Sequence, residues 1–156
     1  MKNPEAKTFE LERFLPYRLS LLTNTVSRGV ACSYRDQHGI SVTEWRVLAV
    51  LGRFPGLTAS DLVQRTAMDK VAVSRAVKSL TARKLVQRDT DTADRRRRLL
   101  HLTADRGRPL LENVVPNARR YETRLLEALT PSEFEQLDTL LNKLQARAES
   151  IPSSNA

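Results

Sequence analysis

Cysteine and histidine are almost absent from this sequence. Cys32 is the single cysteine, and His38 and His101 are the only histidines. One cysteine cannot form a disulfide within the chain, and these few residues give no clustered set of zinc ligands. We therefore expect neither a metal nor a cofactor. Cys32 is interpreted as an ordinary helix residue, with a redox-sensing thiol as the alternative.

Long apolar runs are missing as well. No stretch approaches the roughly 18 to 20 consecutive apolar residues that a membrane span needs, and residues 1–10 are polar rather than signal-like. We therefore expect a cytoplasmic protein that does not bind membrane. Glycine is scarce, at five residues, and aromatic residues make up 5% of the chain. Low glycine content together with few β-branched runs favours helices.

The usual signatures of catalysis are also lacking. The sequence has no Gly-rich phosphate loop, no nucleophile motif and no clustered set of His, Cys or carboxylate residues. We therefore do not expect an enzyme.

Positive charge, by contrast, is abundant. The chain has 26 Lys and Arg against 18 Asp and Glu, a formal net charge of +8. Such a field attracts phosphates or anionic membrane, and net charge alone does not choose between them. A length of 156 residues suits one compact domain, because two separate cores would each be marginal.

Apolar spacing and capping residues predict the first helices. A stripe at three- and four-residue steps predicts a long helix from residue 11 to about residue 35, with its regular part beginning near Pro16. Ser41 and Glu44 form a capping box for the next helix, which must end before the turn at residues 54–56. Thr58 and Asp61 form a second cap pair, which opens a short helix.

The helix that follows has two contrasting faces. Asp69 caps it, and a buried stripe is predicted on one side, comprising Val73, Ala76, Val77 and Leu80. The opposite side is polar and basic, with Lys70, Ser74, Arg75, Lys78 and Ser79. Two helices joined by a tight linker, of which the second has a basic face, form a helix-turn-helix arrangement.

The chain then changes to strand spacing and back to helix. Residues 85–88 and 97–102 flank a polar loop at 89–96, which predicts a projecting β-hairpin. Thr103 is predicted to cap a long helix to about residue 129, with kinks at Pro109 and Pro116. Thr130 and Glu133 begin the last helix, whose apolar stripe comprises Phe134, Leu137, Leu140, Leu141, Leu144 and Ala148.

This order of elements resembles the MarR (multiple-antibiotic-resistance regulator) family of bacterial repressors, over about residues 14–148. The most specific part is residues 88–103, with an Asp-x-Arg-x-Arg pattern at Asp94, Arg96 and Arg98. It follows the segment MDKVAVSR, residues 68–75, at the spacing of the family. One departure is Lys84, since many members have glycine between this helix and the wing. A left-handed helix exit there costs Lys more than Gly.

The resemblance implies a mainly α fold with a small β-hairpin wing, that is, a winged helix-turn-helix with N- and C-terminal dimerisation helices. We expect a single domain over residues 1–156. Within it, about 11–36 and 104–149 would form the dimerisation helices and about 41–103 the DNA-binding lobe. Residues 11–22 of one subunit would pack with residues 125–144 of the other in a homodimer, which requires a pseudo-palindromic operator.

In this family arrangement the second helix of the motif is a recognition helix that reads base edges in the major groove. Its candidate residues are Lys70, Val71, Ala72, Ser74, Arg75 and Lys78. The alternative is a solvated amphipathic face. Thr58, Ser60 and Arg83 are candidates for phosphate contacts, although Thr58 can equally serve only as a cap.

The wing has four arginines in succession, Arg95, Arg96, Arg97 and Arg98. We expect Arg95 or Arg96 to enter the minor groove, and the resemblance favours Arg96. Asp91 and Asp94 can pair with some of these arginines. The alternative is a solvated charge run.

Similar proteins often bind small phenolic or carboxylate effectors in a crevice beside the DNA-binding lobe. The candidates here are Tyr17, Arg18, His38, Trp45 and Arg46. For Trp45 the alternative is a core residue, and for Arg46 a surface or ion-paired one. The sequence thus predicts a DNA-binding transcription regulator, a repressor that an aromatic, phenolic or carboxylate effector releases. The alternatives are a winged-helix protein-interaction module and a redox-responsive regulator that uses Cys32.

Overall fold

The computed structural model describes residues 9–152, which form two compact units, residues 9–118 and 119–152. The first unit begins with a short 3-10 helix, Leu11–Arg13, and continues with α1 (Leu15–Ala31), α2 (Arg35–His38), α3 (Val42–Arg53), α4 (Ala59–Thr66), α5 (Lys70–Ala82), β1 (Val86–Thr90) and β2 (Arg98–Leu102). Helix α6 (Gly107–Leu126) runs through the division at residue 118, and α7 (Pro131–Ser150) completes the second unit. The division falls within the predicted dimerisation region 104–149, and the single domain stays a prediction.

The first long helix is shorter than its apolar stripe predicted. It has Pro16 in its first turn, as expected, but α1 ends at Ala31 rather than near residue 35. Residues 32–34 form a turn, and the four-residue α2 ends at Gly39, whose φ of 58° is left-handed. The break brings Tyr34 and Ile40 into the core, where both are buried. Their burial is the physical reason why the helix does not continue.

Local capping signals are confirmed. The side chains of Ser41, Thr58 and Thr130 each accept a hydrogen bond from the third residue of the helix that follows, and the acidic side chain there accepts from the cap in return. Asp69 accepts from the Ala72 amide at 2.8 Å and so caps α5. Helices α3, α4, α5 and α7 therefore begin where side chains replace the missing backbone partners of the first turn.

Helices α4 and α5 form the predicted helix-turn-helix. Between them, Ala67 has a left-handed φ of 50°. The apolar stripe of α5 faces α3 and α4, and the core comprises Leu48, Leu51, Leu62, Val73, Ala76, Val77 and Leu80 among its buried side chains. This packing leaves the opposite face of α5 on the surface.

The wing is a two-stranded antiparallel hairpin in which Val86 pairs with Leu102 and Thr90 with Arg98. Its loop was predicted at 89–96, but the strand pairing extends through residue 90, so the loop comprises residues 91–97. An isolated bridge between Leu57 and Leu100 fixes the segment before α4 against the middle of β2.

Helix α6 begins at Gly107, four residues after the predicted start at Thr103. The Thr103 hydroxyl accepts from the Gly107 amide at 2.8 Å and donates to the Lys84 carbonyl, also at 2.8 Å. Pro109 therefore lies in the first turn, where a helix needs no backbone donor, and its prediction as an internal kink was wrong. Pro116 lies inside α6.

In the second unit, every residue of α7 is exposed in the single chain, including its apolar stripe. None of the helices within residues 9–152 is both long enough and apolar enough to span a membrane.

Candidate nucleic-acid interface

Helix α5 presents a mixed basic and apolar surface. Lys70, Ser74, Arg75 and Lys78 are exposed, Ala72 is half-buried, and Val71 is 58% exposed. The surface offers donors for guanine edges together with a methyl-bearing side chain that can contact thymine.

A groove of about 330 Å³ lies along this helix. Its lining residues come from α4, α5 and β1, and they are Ala59, Ser60, Val63, Lys70, Val73, Ser74, Val77 and Arg88. Ser60, Lys70 and Ser74 are among the DNA contacts predicted from the sequence, whereas Arg88 is not. The available signal was the strand period, which puts Arg88 on the same side of β1 as the buried Val86.

The wing loop orders its backbone through two aspartates. The Asp91 carboxylate accepts from the Ala93 amide at 2.9 Å, and the Asp94 carboxylate accepts from the Arg96 amide at 3.0 Å. Asp91 also pairs with the Arg97 guanidinium at 3.5 Å. The predicted ion pair between a loop aspartate and an arginine is therefore present for Asp91, whereas the Asp94 carboxylate bonds to a backbone amide.

The four wing arginines are all exposed but differ in their contacts. Arg97 is ion-paired, and Arg98 donates to the Thr90 hydroxyl. Within residues 9–152, the side chains of Arg95 and Arg96 make neither an ion pair nor a hydrogen bond. These two guanidinium groups are therefore the ones available for an anionic partner.

Arg83 has an internal role in the structure. Its guanidinium donates to the carbonyl of His38 at 2.7 Å and to that of Gly39 at 3.0 Å. It also lies 3.8 Å from the Glu44 carboxylate. These contacts attach the end of α5 to the turn before α3. A phosphate contact of Arg83 stays a prediction.

Of the two hydroxyl candidates at α4, only Ser60 is exposed. The Thr58 hydroxyl donates to Asp61 at 2.7 Å and accepts from the Asp61 amide at 3.2 Å. These bonds lower the pKa of the Asp61 carboxyl. Thr58 therefore functions as a helix cap.

The predicted effector residues differ in their surroundings: Tyr17 and Arg18 lie exposed on α1, whereas Trp45, Arg46 and His38 contact other elements. Trp45 stacks on Tyr34 with ring centroids 5.4 Å apart, and Arg46 donates to the Ser27 hydroxyl at 3.3 Å. His38 Nε2 lies 3.2 Å from the Asn113 Oδ1 of α6.

Tyr34 is a polar residue that was not among the predicted effector residues. It is fully buried, and its hydroxyl has no hydrogen-bond partner among the residues that the structure describes. Burial raises the pKa of this hydroxyl, and the nearby charges of Arg35 and Arg46 oppose that rise. No local sequence signal predicts the site, because it depends on the break between α1 and α2.

Cys32 follows the end of α1 and is exposed. Its thiol donates to the Arg28 carbonyl with a sulfur to oxygen distance of 3.4 Å. Redox sensing by this residue stays a prediction.

A capped two-helix motif with a basic outer face, followed by a hairpin rich in arginine, defines a winged helix-turn-helix protein of the DNA-binding type. The family model described as MarR family matches residues 38–97, from the end of α2 into the wing loop. The chain belongs to the MarR family of transcriptional regulators.

Similar proteins are known in sequence and in structure. The HTH-type transcriptional repressor NicR of Pseudomonas putida is 33% identical over 85 residues, which are 54% of this chain and 53% of that protein. The match thus spans about half the length of that relative. A MarR/EmrR family regulator from Acinetobacter sp. ADP1 superposes with a TM-score of 0.83 at 29% identity, and the match covers 91% of this chain and 99% of that one.

BpsR of Bordetella bronchiseptica was solved in a study of how 6-hydroxynicotinic acid regulates its DNA binding. Its TM-score is 0.77 at 28% identity, over 88% of this chain and 96% of that one. These relatives are regulators of transcription, not enzymes.

Proposed function

We propose that this chain is a repressor that binds a pseudo-palindromic operator as a homodimer and is released by a small aromatic carboxylate or phenol. The observation that carries the proposal is the exposed basic face of α5 beside the wing, on which Arg95 and Arg96 have no partner within residues 9–152. The first half of α5 enters the major groove and the wing reaches the adjacent minor groove.

Base recognition requires donors with fixed geometry. Arg75 or Lys70 can donate to the O6 and N7 atoms of guanine, and Val71 can pack on a thymine methyl group. Because α5 is anchored by Asp69 at its start and by Arg83 at its end, these side chains project from a rigid element. We therefore assign the recognition of base sequence to α5 and the recognition of groove shape to the wing.

Homodimer formation is supported by apolar surface within each compact unit taken by itself. On α1, Leu21 is 52% and Leu22 is 57% exposed, and on α7, Leu140 is 56% and Leu141 is 47% exposed. In a dimer with a two-fold axis, the apolar stripes of each copy would be buried against the other copy. They would also place two copies of α5 on one duplex, roughly one helical turn apart.

The effector proposal rests on Tyr34 and its neighbours. A buried hydroxyl without a partner costs about 1 to 3 kcal/mol, so a ligand that reaches the Tyr34 hydroxyl and supplies the partner would recover part of that amount. Trp45 offers an aromatic face and Arg46 a cation for a carboxylate. Since 6-hydroxynicotinic acid regulates the similar BpsR, we infer an aromatic carboxylate or phenol as the effector class here.

The experiment for DNA binding begins with selection of preferred duplexes from a random pool. We expect the full-length protein to bind the selected duplex at least about a thousandfold more tightly than a scrambled one. Arg75→Ala should relax preference at one base position by about 1 to 3 kcal/mol. Arg119→Ala, on α6, is the control and should bind as the wild type does.

Two outcomes would contradict this assignment. If no sequence is enriched and duplex binding is absent at low salt, the chain is instead a protein-interaction module. If Arg75→Ala weakens operator and scrambled duplex equally, Arg75 contacts phosphate and another residue reads the base.

The experiment for the effector uses 6-hydroxynicotinic acid as the probe in calorimetry. Binding should weaken operator affinity, and operator DNA should weaken probe binding by the same factor. Arg46→Ala should reduce the affinity for the carboxylate, and Tyr34→Phe should reduce it without destabilising the fold. If this acid and a panel of phenols fail to bind, the effector class is wrong, and oxidation of Cys32 becomes the alternative to test.

A further inference from the structure

Two arginines share one aromatic ring at the end of α3. Phe54 follows α3 directly and is 37% exposed. The guanidinium carbon of Arg65, on α4, lies 4.2 Å from the centre of its ring, and that of Arg53 lies 5.0 Å away. An arginine that stacks on a ring is held near one conformation, whereas a free arginine side chain samples many rotamers. We refer to these three residues as the Arg-Phe-Arg cluster.

The arginines of the cluster form no direct ion pair with a carboxylate among residues 9–152. Within the same residues, neither Arg53 nor Arg65 makes a side-chain hydrogen bond. A guanidinium that stacks through its face keeps its N–H groups in the plane, directed away from the ring. Such N–H groups match the oxygens of a phosphate.

The cluster adjoins the wing. The segment that leads from Phe54 to α4 is held to β2, since the Leu100 amide donates to the Leu57 carbonyl at 2.8 Å and the Gly56 amide donates to the Leu100 carbonyl at 3.1 Å. The Asp61 carboxyl, whose lowered pKa is due mainly to Thr58, also senses the charges of Arg97 and Arg65. Arg65 and the wing arginine therefore lie near the same carboxylate.

We propose that the Arg-Phe-Arg cluster binds the sugar-phosphate backbone of the DNA next to the wing, with Arg53 and Arg65 held in position by the Phe54 ring. The inference rests on the proposed DNA binding and adds a contact surface that extends the wing. It supplies affinity that depends on salt and not on sequence, because phosphates are the same at every base pair.

The experiment measures how affinity for the selected duplex depends on salt concentration. Arg65→Gln should make the slope of log K against log salt shallower by about one for each bound subunit. Arg53→Gln should act in the same direction, and the loss should be equal on selected and scrambled duplexes. Arg147→Gln removes one exposed charge from α7 and is the matched control, with an unchanged slope.

Phe54→Leu separates positioning from charge. It keeps both arginines but removes the ring that fixes them, so it should weaken binding to both duplexes and make the slope shallower. A role of bulk charge alone predicts no change for this variant and would overturn the proposal. If Phe54→Leu does not fold, as judged by circular dichroism and thermal midpoint, the two arginine variants decide.

The outcomes also distinguish this inference from the function on which it rests. A wild-type protein that binds no duplex refutes the proposed function. A wild type that binds while Arg65→Gln and Arg53→Gln keep its slope overturns only the assignment of the cluster.

Discussion

Lys84 has a backbone conformation that favours glycine. Its φ is 58°, and the Leu85 amide bonds to the Leu80 carbonyl at 2.9 Å while the Lys84 amide bonds to the Thr81 carbonyl at 3.0 Å. These two bonds form a Schellman motif at the end of α5. The exit that the family usually makes with glycine is therefore kept, and the departure at Lys84 is in sequence and not in backbone.

Replacing Lys84 with Gly should stabilise the protein. A left-handed non-glycine residue costs about 1 to 2 kcal/mol, and the greater chain entropy of unfolded glycine offsets about half of that gain. We expect an increase of about 0.5 to 1 kcal/mol in the free energy of unfolding, measured in urea at constant m-value. Ala82→Gly, two residues earlier and still helical, should lose stability by a similar amount. Equal signs for the two substitutions would contradict the explanation.

Contacts between residues close in sequence were predicted, whereas contacts between residues far apart in sequence were not. Ser41, Thr58 and Thr130 cap helices because each bonds to the residue three positions on. The sequence did not predict that the Arg83 guanidinium donates to carbonyls 44 and 45 positions away. No local pattern contains that contact, because it forms only when α5 has packed beside the turn before α3.

At the scale of elements, Glu44 joins α3 to α5. Its carboxylate accepts from the Ser41 amide at 2.7 Å and from the Ser79 hydroxyl at 2.6 Å, and Arg83 lies 3.8 Å away. Burial alone raises the pKa of this carboxyl, but the bonds from Ser41 and Ser79 and the charge of Arg83 together lower it. The ionised form is therefore part of the packing between α3 and α5.

Glu44→Ala should destabilise the protein by about 2 to 3 kcal/mol at neutral pH, since hydrogen bonds to a charged group are lost and the Ser79 hydroxyl is left without its acceptor. Glu133→Ala removes the same capping position from α7, where the Glu133 carboxylate bonds only to Thr130 among residues 9–152, and should cost less. Operator affinity should fall for the Glu44 variant and stay unchanged for the Glu133 variant. Equal losses of stability would show that Glu44 acts only as a cap.

The destabilisation should also depend on pH. A carboxyl whose folded pKa is below its ordinary value stabilises the fold above that value and loses the contribution as pH falls through the folded pKa. For Glu44 the ordinary value is 4.5, so the difference between wild type and Glu44→Ala should shrink as the pH falls below it. A difference that stays constant from neutral to acidic pH would contradict the role of the charge.

Element boundaries show the same contrast between local and tertiary causes. The apolar stripe predicted one helix through residue 35, but burial of Tyr34 ends α1 at Ala31. Helix α6 begins at Gly107, whose amide donates to the Thr103 hydroxyl, and this position requires glycine because a Cβ would collide with the Leu85 carbonyl. Helix patterns report which side is apolar, while packing decides where the helix stops.

For the whole molecule, the winged helix-turn-helix fold and the family were predicted from sequence and are confirmed. Among the contacts of the candidate site, the ring of Phe54 with Arg53 and Arg65 was not predicted. It unites residues from α3, the following turn and α4, which come together only in the fold. Its separate parts look like ordinary surface residues in the sequence.

The last prediction concerns assembly. We expect a dimer mass by light scattering at micromolar concentration, and Leu141→Lys should give a monomer. Leu141 is 47% exposed in the single chain, so its replacement removes little from the fold of that chain, whereas a two-fold interface would contain the new charge twice. Thr139→Lys, two residues before Leu141 and therefore on the opposite side of α7, adds the same charge away from the apolar stripe and should remain dimeric.

Loss of the dimer should also appear in DNA binding. A monomer binds one half-site, so it loses the effective concentration that makes the second contact intramolecular, a factor of about 100 to 10,000. Operator affinity of Leu141→Lys should therefore fall far more than affinity for a duplex with a single half-site. A wild type that is monomeric, or a Leu141→Lys variant that stays dimeric, would remove the apolar stripe of α7 from the interface. Binding to a pseudo-palindromic operator would then require that another surface of the protein hold the two copies of α5 together.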